Sequence, residues 1–403
     1  MKCILKTDIA QVKDKTNSFQ IGDNQFIVSE EIASVADKWK EFAYADVFLS
    51  VPFLHAIENM PELKMKPFYV LHELNGICVG VLYFQLRHFN LKSALPAESK
   101  EAKLNLKNWV SSFVDFDTLV LGNLLLTGNY GCCAVSPSSH KFDWKEFQIK
   151  MLQYLKVEKQ IEPSAILAKD FYNNQVPIQL EASGFHKFAV QPNMILHLND
   201  EWHTFEDYLE AFKAKYRVRY RRALKKSEGL TFKELSLDDL AQYMNHMHEL
   251  YLGISATAVF NLFTLPPDYF FKLKQALGDR FLVYGYFDQN NTMMAFYSCV
   301  DNYDHLQAHF LGYNQEENHE KQIYLNMLYK IVEIGIVHHQ KQIILSRTAI
   351  EIKTTVGAVP HEMSCLFLHT NSITNKFFGP IFSAFKPDDQ FIIRSPFKDG
   401  QDQ

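Results

Sequence analysis

Phe281-Leu-Val-Tyr-Gly-Tyr-Phe-Asp-Gln-Asn-Asn-Thr-Met-Met-Ala-Phe-Tyr-Ser-Cys-Val300 contains two β-rich runs, Phe281 to Phe287 and Met293 to Val300, around the polar turn Asp288 to Asn291. Aromatic and β-branched runs bounded by turn formers predict a hairpin. Downstream, the pattern predicts a strand at 305–311, a long helix at 321–338, a strand at 343–345, a short helix at 349–355 and a strand at 363–369. The same order is legible upstream. Phe68 to Leu74 and Ile77 to Leu86 flank Asn75-Gly76, the dipeptide of two-residue hairpins. Then come a strand at 118–121, a helix at 143–158 and strands at 165–168 and 190–198. Further helices are expected at 31–42, 51–60, 98–111, 204–227, 237–252 and 267–277. The chain is therefore a duplication of one mixed α/β unit of roughly 180 to 200 residues, a period far longer than that of solenoid repeats. The expected domains are 1–200 and 201–403, the second opening with the helix at 204–227.

With 403 residues, 47% of them hydrophobic, the chain has material for two packed domains and is not globally disordered. Forty-one Lys and Arg stand against 46 Asp and Glu, so any anion-binding surface must be local. The six cysteines have no zinc-type or redox-motif spacing, and the vicinal pair Cys132-Cys133 cannot easily close a relaxed disulfide. Reduced thiols and a cytoplasmic location are expected. Lys2 and Lys6 interrupt the start before a signal-peptide core can form, and no apolar run is long enough to span a bilayer. Peripheral contact with a membrane stays compatible with this composition.

The doubled element order resembles the GNAT acyltransferase fold as used twice over in the Fem-type peptidoglycan aminoacyltransferases. Two local segments are similar to the FemAB-like, peptidoglycan biosynthesis/recognition branch. They are Tyr208-Leu-Glu-Ala-Phe-Lys-Ala-Lys-Tyr-Arg-Val-Arg-Tyr-Arg-Arg-Ala-Leu-Lys-Lys226 and Ser346-Arg-Thr-Ala-Ile-Glu-Ile-Lys-Thr-Thr-Val-Gly-Ala358. The resemblance covers the second half well and the first half mainly by architecture. It implies tandem GNAT-like (acyl-CoA N-acyltransferase) domains in a bacterial cell-envelope protein, each half forming its own sheet and the basic helix facing the region between them. It also implies an N-acyltransferase or aminoacyltransferase that forms an amide by direct attack of a substrate amine. No tightly bound cofactor is implied. Acyl-CoA, acyl carrier protein or aminoacyl-tRNA would be the donor, and an anionic small molecule or lipid-linked precursor the partner.

One departure bears on the donor. Where the family places a glycine-rich pyrophosphate turn, this chain reads Gly312-Tyr-Asn-Gln-Glu-Glu-Asn-His-Glu320. Phosphates favour free backbone N–H groups at a helix start and no nearby carboxylates, so the three glutamates argue against coenzyme A in the second copy. In the first copy Thr127, Gly128 and Gly131 form the corresponding candidate turn, and the plain alternative is a turn with no ligand.

Between Lys213 and Lys226 there are eight cations and no acid. Like charges at i,i+4 repel by a few tenths of a kcal/mol per pair, roughly, so an anionic partner would relieve them. Lys215, Arg217, Arg219, Arg221 and Arg222 are the candidate contacts; the alternative is a helix whose charges suit its own macrodipole. Tyr216 and Tyr220, four apart, are placed either to stack a base or to pack inward, and packing is the expected use. Arg347, Glu351 and Lys353 lie just beyond a buried strand, where open α/β sheets place ligands. Arg347 would clamp a carboxylate or phosphate, Glu351 orient it and Lys353 add charge; the alternative is an Arg347–Glu351 pair at i,i+4. His305, His309 and Tyr313 share one strand at even spacing and are expected on one face. His309, with Tyr313, is the candidate for deprotonating the amine, against the alternative of a structural histidine. His246/His248 and His338/His339 are spaced wrongly for one metal, and no metal site is expected. Hydrolase-elbow, P-loop and kinase motifs are absent. A second reading of the whole chain is a non-catalytic GNAT-like module that recognises an anionic cell-envelope precursor or lipid.

Overall fold

The computed structural model describes residues 17–43, 46–90, 115–134, 142–256, 263–384 and 391–398; the helix expected at 98–111 lies outside them. The first half contributes β1 (Ser18–Ile21), β2 (Asn24–Ser29), β3 (Lys66–Leu74), β4 (Ile77–Asn90), β5 (Asp115–Leu121), β6 (Cys132–Ala134), β7 (Ala165–Tyr172) and β8 (His186–His197). The second contributes β9 (Thr231–Glu234), β10 (Phe281–Phe287), β11 (Met293–Asn302), β12 (His305–Tyr313), β13 (Gln342–Ile344) and β14 (Val359–His369). Both predicted hairpins form. Asn75 and Gly76 take the positive φ of 51° and 79° that the tight β3–β4 turn demands.

The duplication shows in the hydrogen bonding. In the first half β5 runs parallel to β7, and in the second β12 runs parallel to β13. Helices Trp144–Tyr154 and Ile323–Val337 make the two crossovers. The expectation of two separate sheets is corrected: the strands follow one path, β1-β2-β3-β4-β5-β7-β14-β8-β13-β12-β11-β10-β9, with β6 on β4. The halves exchange their last strands. β8 leaves its own half to pair with β13, where Ile344 faces Ile195. β14 crosses the other way to pair with β7, where Leu366 faces Ala168. β8 and β14 then pair with each other at the centre. Strands of 12 and 11 residues reach far enough to bond to a neighbour on each side, so the inner edge that each half would otherwise expose is covered.

Apolar side chains cover both faces. One core joins the halves through Trp39, Phe48 and Phe53 from the first and Tyr269, Phe270 and Phe296 from the second. The second half buries Ile323–Val337 against the opposite face with Tyr208 and Phe212. Gly312 in β12 permits close approach of helix Leu237–Ser255, because a Cβ there would come within 2.5 Å of the Tyr251 backbone nitrogen. The helix expected at 204–227 is two: Phe205–Ala211 and Ala214–Lys226, with Phe212 and Lys213 extended between them. Phe212 bridges there to Phe397 of the C-terminal segment. The stretch expected as a helix at 31–42 reduces to a 3-10 turn, Ile32–Ser34, and Ala36–Trp39. Strands β1, β2, β6 and β9 and helix Ser372–Ala384 had no distinct sequence reading.

Candidate functional site

Helix Ala214–Lys226 packs one face inward, burying Tyr216 and Ala223 and setting the Tyr220 ring 4.9 Å from Tyr329. Arg217 turns back to donate to the Phe212 carbonyl at 2.6 Å, closing the break between the two helices. Lys215, Arg219, Arg221, Arg222, Lys225 and Lys226 are exposed and form no ion pair among the described residues. Val218 and Leu224 on the same helix are also exposed, at 46% and 48%. The cations therefore keep their mutual repulsion, and their charge faces solvent.

The Arg347 segment is built differently from the expectation. Ser346, Thr348 and Ala349 have positive φ, so the helix begins only at Ile350 and Arg347 cannot reach Glu351 along a helical face. Arg347 pairs instead with Asp170 of the first half. Asp170 is buried, also meets Lys169 and accepts from the Cys365 thiol at 3.3 Å. Lys169 donates in turn to the Leu126 carbonyl at 2.7 Å. Glu351 faces the C-terminal segment, accepting from the Ile392 N–H at 3.3 Å. Lys353 is buried and donates to the Ser346 and Arg347 carbonyls at 3.1 and 2.6 Å, and burial lowers its pKa to about 7. Arg347, Glu351 and Lys353 thus diverge, and the cation meant to add charge to a ligand holds the loop from inside.

His309 and Tyr313 do not share a face. The β11–β12 register slips between Tyr297 and Cys299, so His309 and Phe310 form a bulge. His305 and His309 stay on the side of the joint core, where the Tyr269 hydroxyl lies 2.7 Å from His309 Nε2. Tyr313 moves to the other side and packs on Tyr324. Phe48, Tyr269, Phe281 and Phe310 ring His309, and burial lowers its pKa to about 3. It is a neutral imidazole at pH 7. Ser298 Oγ occupies the N–H of Phe310 at 3.2 Å and donates to its carbonyl at 2.8 Å, so this bulge amide is already bonded.

Neither phosphate-turn candidate has its helix start free. In the first copy Gly128 N–H faces Asp170 Oδ2 at 3.5 Å, and Gly131 N–H donates to Asn129 Oδ1 at 3.0 Å. Thr127, next to Gly128, lies in the same loop. Asp143 caps the following helix through the N–H groups of Lys145 and Glu146. In the second copy Asn318 Oδ1 takes the N–H of Tyr324 at 2.8 Å, and Glu317 pairs with Lys321.

The exchanged strands bring together residues that no local reading connects. A cavity of about 600 Å³ opens at the seam. His305, Gln342, Ile344, Ile195 and His361 line it from adjoining positions on β12, β13, β8 and β14. The first half supplies Asp46, Gly128 to Tyr130 and Tyr172 to Gln175, and Glu362 completes the rim. Tyr130 reaches across to donate to Gln307 at 2.8 Å. Asp46 accepts at Oδ1 from the Phe48 N–H at 2.8 Å and from Asn302 at 3.1 Å; burial raises its pKa. Asn302 lies 3.1 Å from His305 Nε2 as well, linking carboxylate and imidazole through one amide. His361 meets His197 at 3.3 Å, and its pKa is lowered by burial and by that neighbour. Such a pocket, concave and set with convergent polar groups, can hold a small molecule. Of its lining residues, Gly128 and His305 are the ones singled out in the sequence.

No protein-family model matches the chain, and no curated protein sequence does. Solved structures do. FemX is 12% identical, with 87% of this chain and 99% of that chain covered and a TM-score of 0.52. A tandem GNAT protein from the clavulanic acid biosynthesis pathway is 9% identical, covering 86% and 99%, with a TM-score of 0.48. L-PGS from Bacillus licheniformis is 12% identical, covering 89% and 98%, with a TM-score of 0.47. Among the described residues no helix is long and apolar enough to cross a membrane. With its repeated parallel pairs, the chain has the fold of FemX, a GNAT-like unit used twice.

Proposed function

We propose that the protein is an amide-forming acyl or aminoacyl transferase whose reaction takes place in the seam cavity. The observation that carries this reading is the cavity itself: in a FemX-like fold, the exchanged strands converge on one pocket that both halves line. Direct attack of an amine on an activated acyl group requires two reactants aligned, one proton removed and a developing oxyanion stabilised. Asp46, His305 and the tyrosine hydroxyls are better placed for this than the caged His309.

The donor is an anionic carrier, an aminoacyl-tRNA or an acyl carrier protein, rather than free acyl-CoA. Both helix starts that would cradle a diphosphate are capped by side chains of the chain itself, whereas Lys215, Arg219, Arg221 and Arg222 stand open. These cations would take the carrier's charge, with Arg217 fixing the helix that presents them. Incubating the protein with charged tRNA, acyl carrier protein or acyl-CoA and a panel of amines should give amide product with one of the first two. Product from acyl-CoA alone would overturn the choice of donor, and no product from any donor would overturn catalysis.

A second reading, a non-catalytic module that binds an anionic envelope precursor or lipid, draws on the neutral His309 and the bonded bulge amide. It predicts polyanion binding without any transfer.

A further inference from the structure

The lining of the seam cavity has a sign opposite to that of the basic helix. Asp46 and Glu362 are its acidic members, and no Lys or Arg lines it among the described residues. Asn129, Asn173, Asn174, Gln175 and Gln342 surround them with amide groups over a floor of Ile195 and Ile344. Asp46 lines the cavity and accepts at Oδ1 from Phe48 and Asn302, while its Oδ2 has no hydrogen-bond partner among the described residues. Glu362 receives Asn173 Nδ2 at 3.0 Å on one oxygen, and the other has no partner among the described residues. On the same face of the sheet Asn193 is fully buried: it donates to the Tyr172 hydroxyl on the wall at 2.8 Å, and its own Oδ1 has no partner among the described residues.

We propose that this cavity binds the amine acceptor as an ammonium ion between Asp46 and Glu362, and that Asp46 takes its proton. The acceptor is a primary amine on a polar, otherwise uncharged molecule, an amino sugar or a peptide amine. A charge-assisted pair with a carboxylate in a partly desolvated pocket selects the cation, and the surrounding amides match hydroxyl or peptide groups. An anionic acceptor would meet two carboxylates and no cation. The proposal rests on the transferase reading above. In the step itself, a proton passes from the ammonium to Asp46 and the freed nitrogen pair forms a bond to the acyl carbon. The bond from that carbon to the carrier oxygen or sulfur breaks, and the leaving atom gains the second proton that the nitrogen gives up as it becomes an amide.

The test is a titration of the full chain, followed by NMR of its histidine ring signals, with glucosamine and Nα-acetyl-lysinamide as the two amine probes. Glucose and Nα-acetyl-norleucinamide are the neutral counterparts, and glucose 6-phosphate the anionic one. Saturable shifts at His305 and His361 with either amine, and binding of its neutral counterpart weaker by roughly tenfold, are expected. Which amine binds identifies the acceptor class. Asp46→Asn keeps an oxygen for the Phe48 N–H and should lose most of this preference. Glu362→Gln, at an exposed position, should lose part of it and guards against a folding defect in the first variant. Equal binding of amine and neutral probes, preference for the sugar phosphate, or no saturable binding of either amine would overturn the proposal. Amide product formed without ammonium selection would leave the transferase reading standing and remove this one. Selective amine binding with no product from any donor would leave the ammonium site standing and remove the transferase reading, and with it the proton step at Asp46.

Discussion

Two groups of cations in this molecule behave in opposite ways. Lys169, Arg347 and Lys353 are drawn into the structure, where they meet the buried Asp170 carboxylate and backbone carbonyls. Lys215, Arg219, Arg221 and Arg222 have the same charge and remain exposed without an acidic partner among the described residues. The difference lies in desolvation. A charge removed from water must be paired, so the inner group is tied to the architecture of the seam. A charge left in water is free to meet a partner, at a small cost in self-repulsion.

The sharpest way to break this contrast is at Asp170. Its φ of 59° suits asparagine, so Asp170→Asn removes the charge with little backbone penalty. Lys169 and Arg347 are then left uncompensated, and urea unfolding should show a loss of about 3 kcal/mol or more. A loss within the range of ordinary surface substitutions would mean that the seam is not held by its ions.

The second prediction concerns pH. Burial lowers the Lys353 pKa to about 7 in the folded protein, below that of an unfolded lysine. Between those two values the unfolded chain binds more protons than the folded one, so stability should rise as pH increases above about 7, with a slope of up to about 1.4 kcal/mol per pH unit. Below about 7 this residue is protonated in both states and adds no slope. Lys353→Met should reduce the slope in unfolding measured across that window, leaving the share of Lys169, whose pKa burial also lowers to about 7. An unchanged slope would assign the pH dependence to other groups.

The smallest effect on stability belongs to the helix. Arg219→Glu with Arg222→Glu should change unfolding free energy by no more than about 0.5 kcal/mol. The same double variant should weaken binding of bulk tRNA at low salt and make the dependence on salt shallower, by roughly one unit or more in the log–log slope, since two phosphate-neutralising cations are removed. A stable variant that binds as well as the unmodified protein would move the anion site away from this helix. A large loss of stability would make the two groups alike after all.

The repeated order of elements was legible because hairpin turns and apolar periods are local properties. Asn75-Gly76, the apolar run of Ile323–Val337 and the acid-free stretch after Lys213 each carry their own signal. The end of the helix expected at 204–227 is legible in the same way, but its interruption at Phe212 is not, because that break depends on contact with Phe397, distant in sequence. The bulge at His309 and Phe310 was also hidden, although one extra residue there separates His309 and Tyr313 onto opposite faces.

The amino-acid sequence by itself determined that this chain is a doubled α/β protein with a concentrated basic helix, since these follow from patterns within a few turns or strands. Only the tertiary structure decided that the halves share one sheet, that Arg347 meets Asp170 rather than Glu351, and that Asp46, His305 and Glu362 border one cavity. The reason is the exchange of β8 and β14: backbone hydrogen bonding does not depend on which copy supplies the neighbouring strand, so the choice was made by packing across the whole molecule.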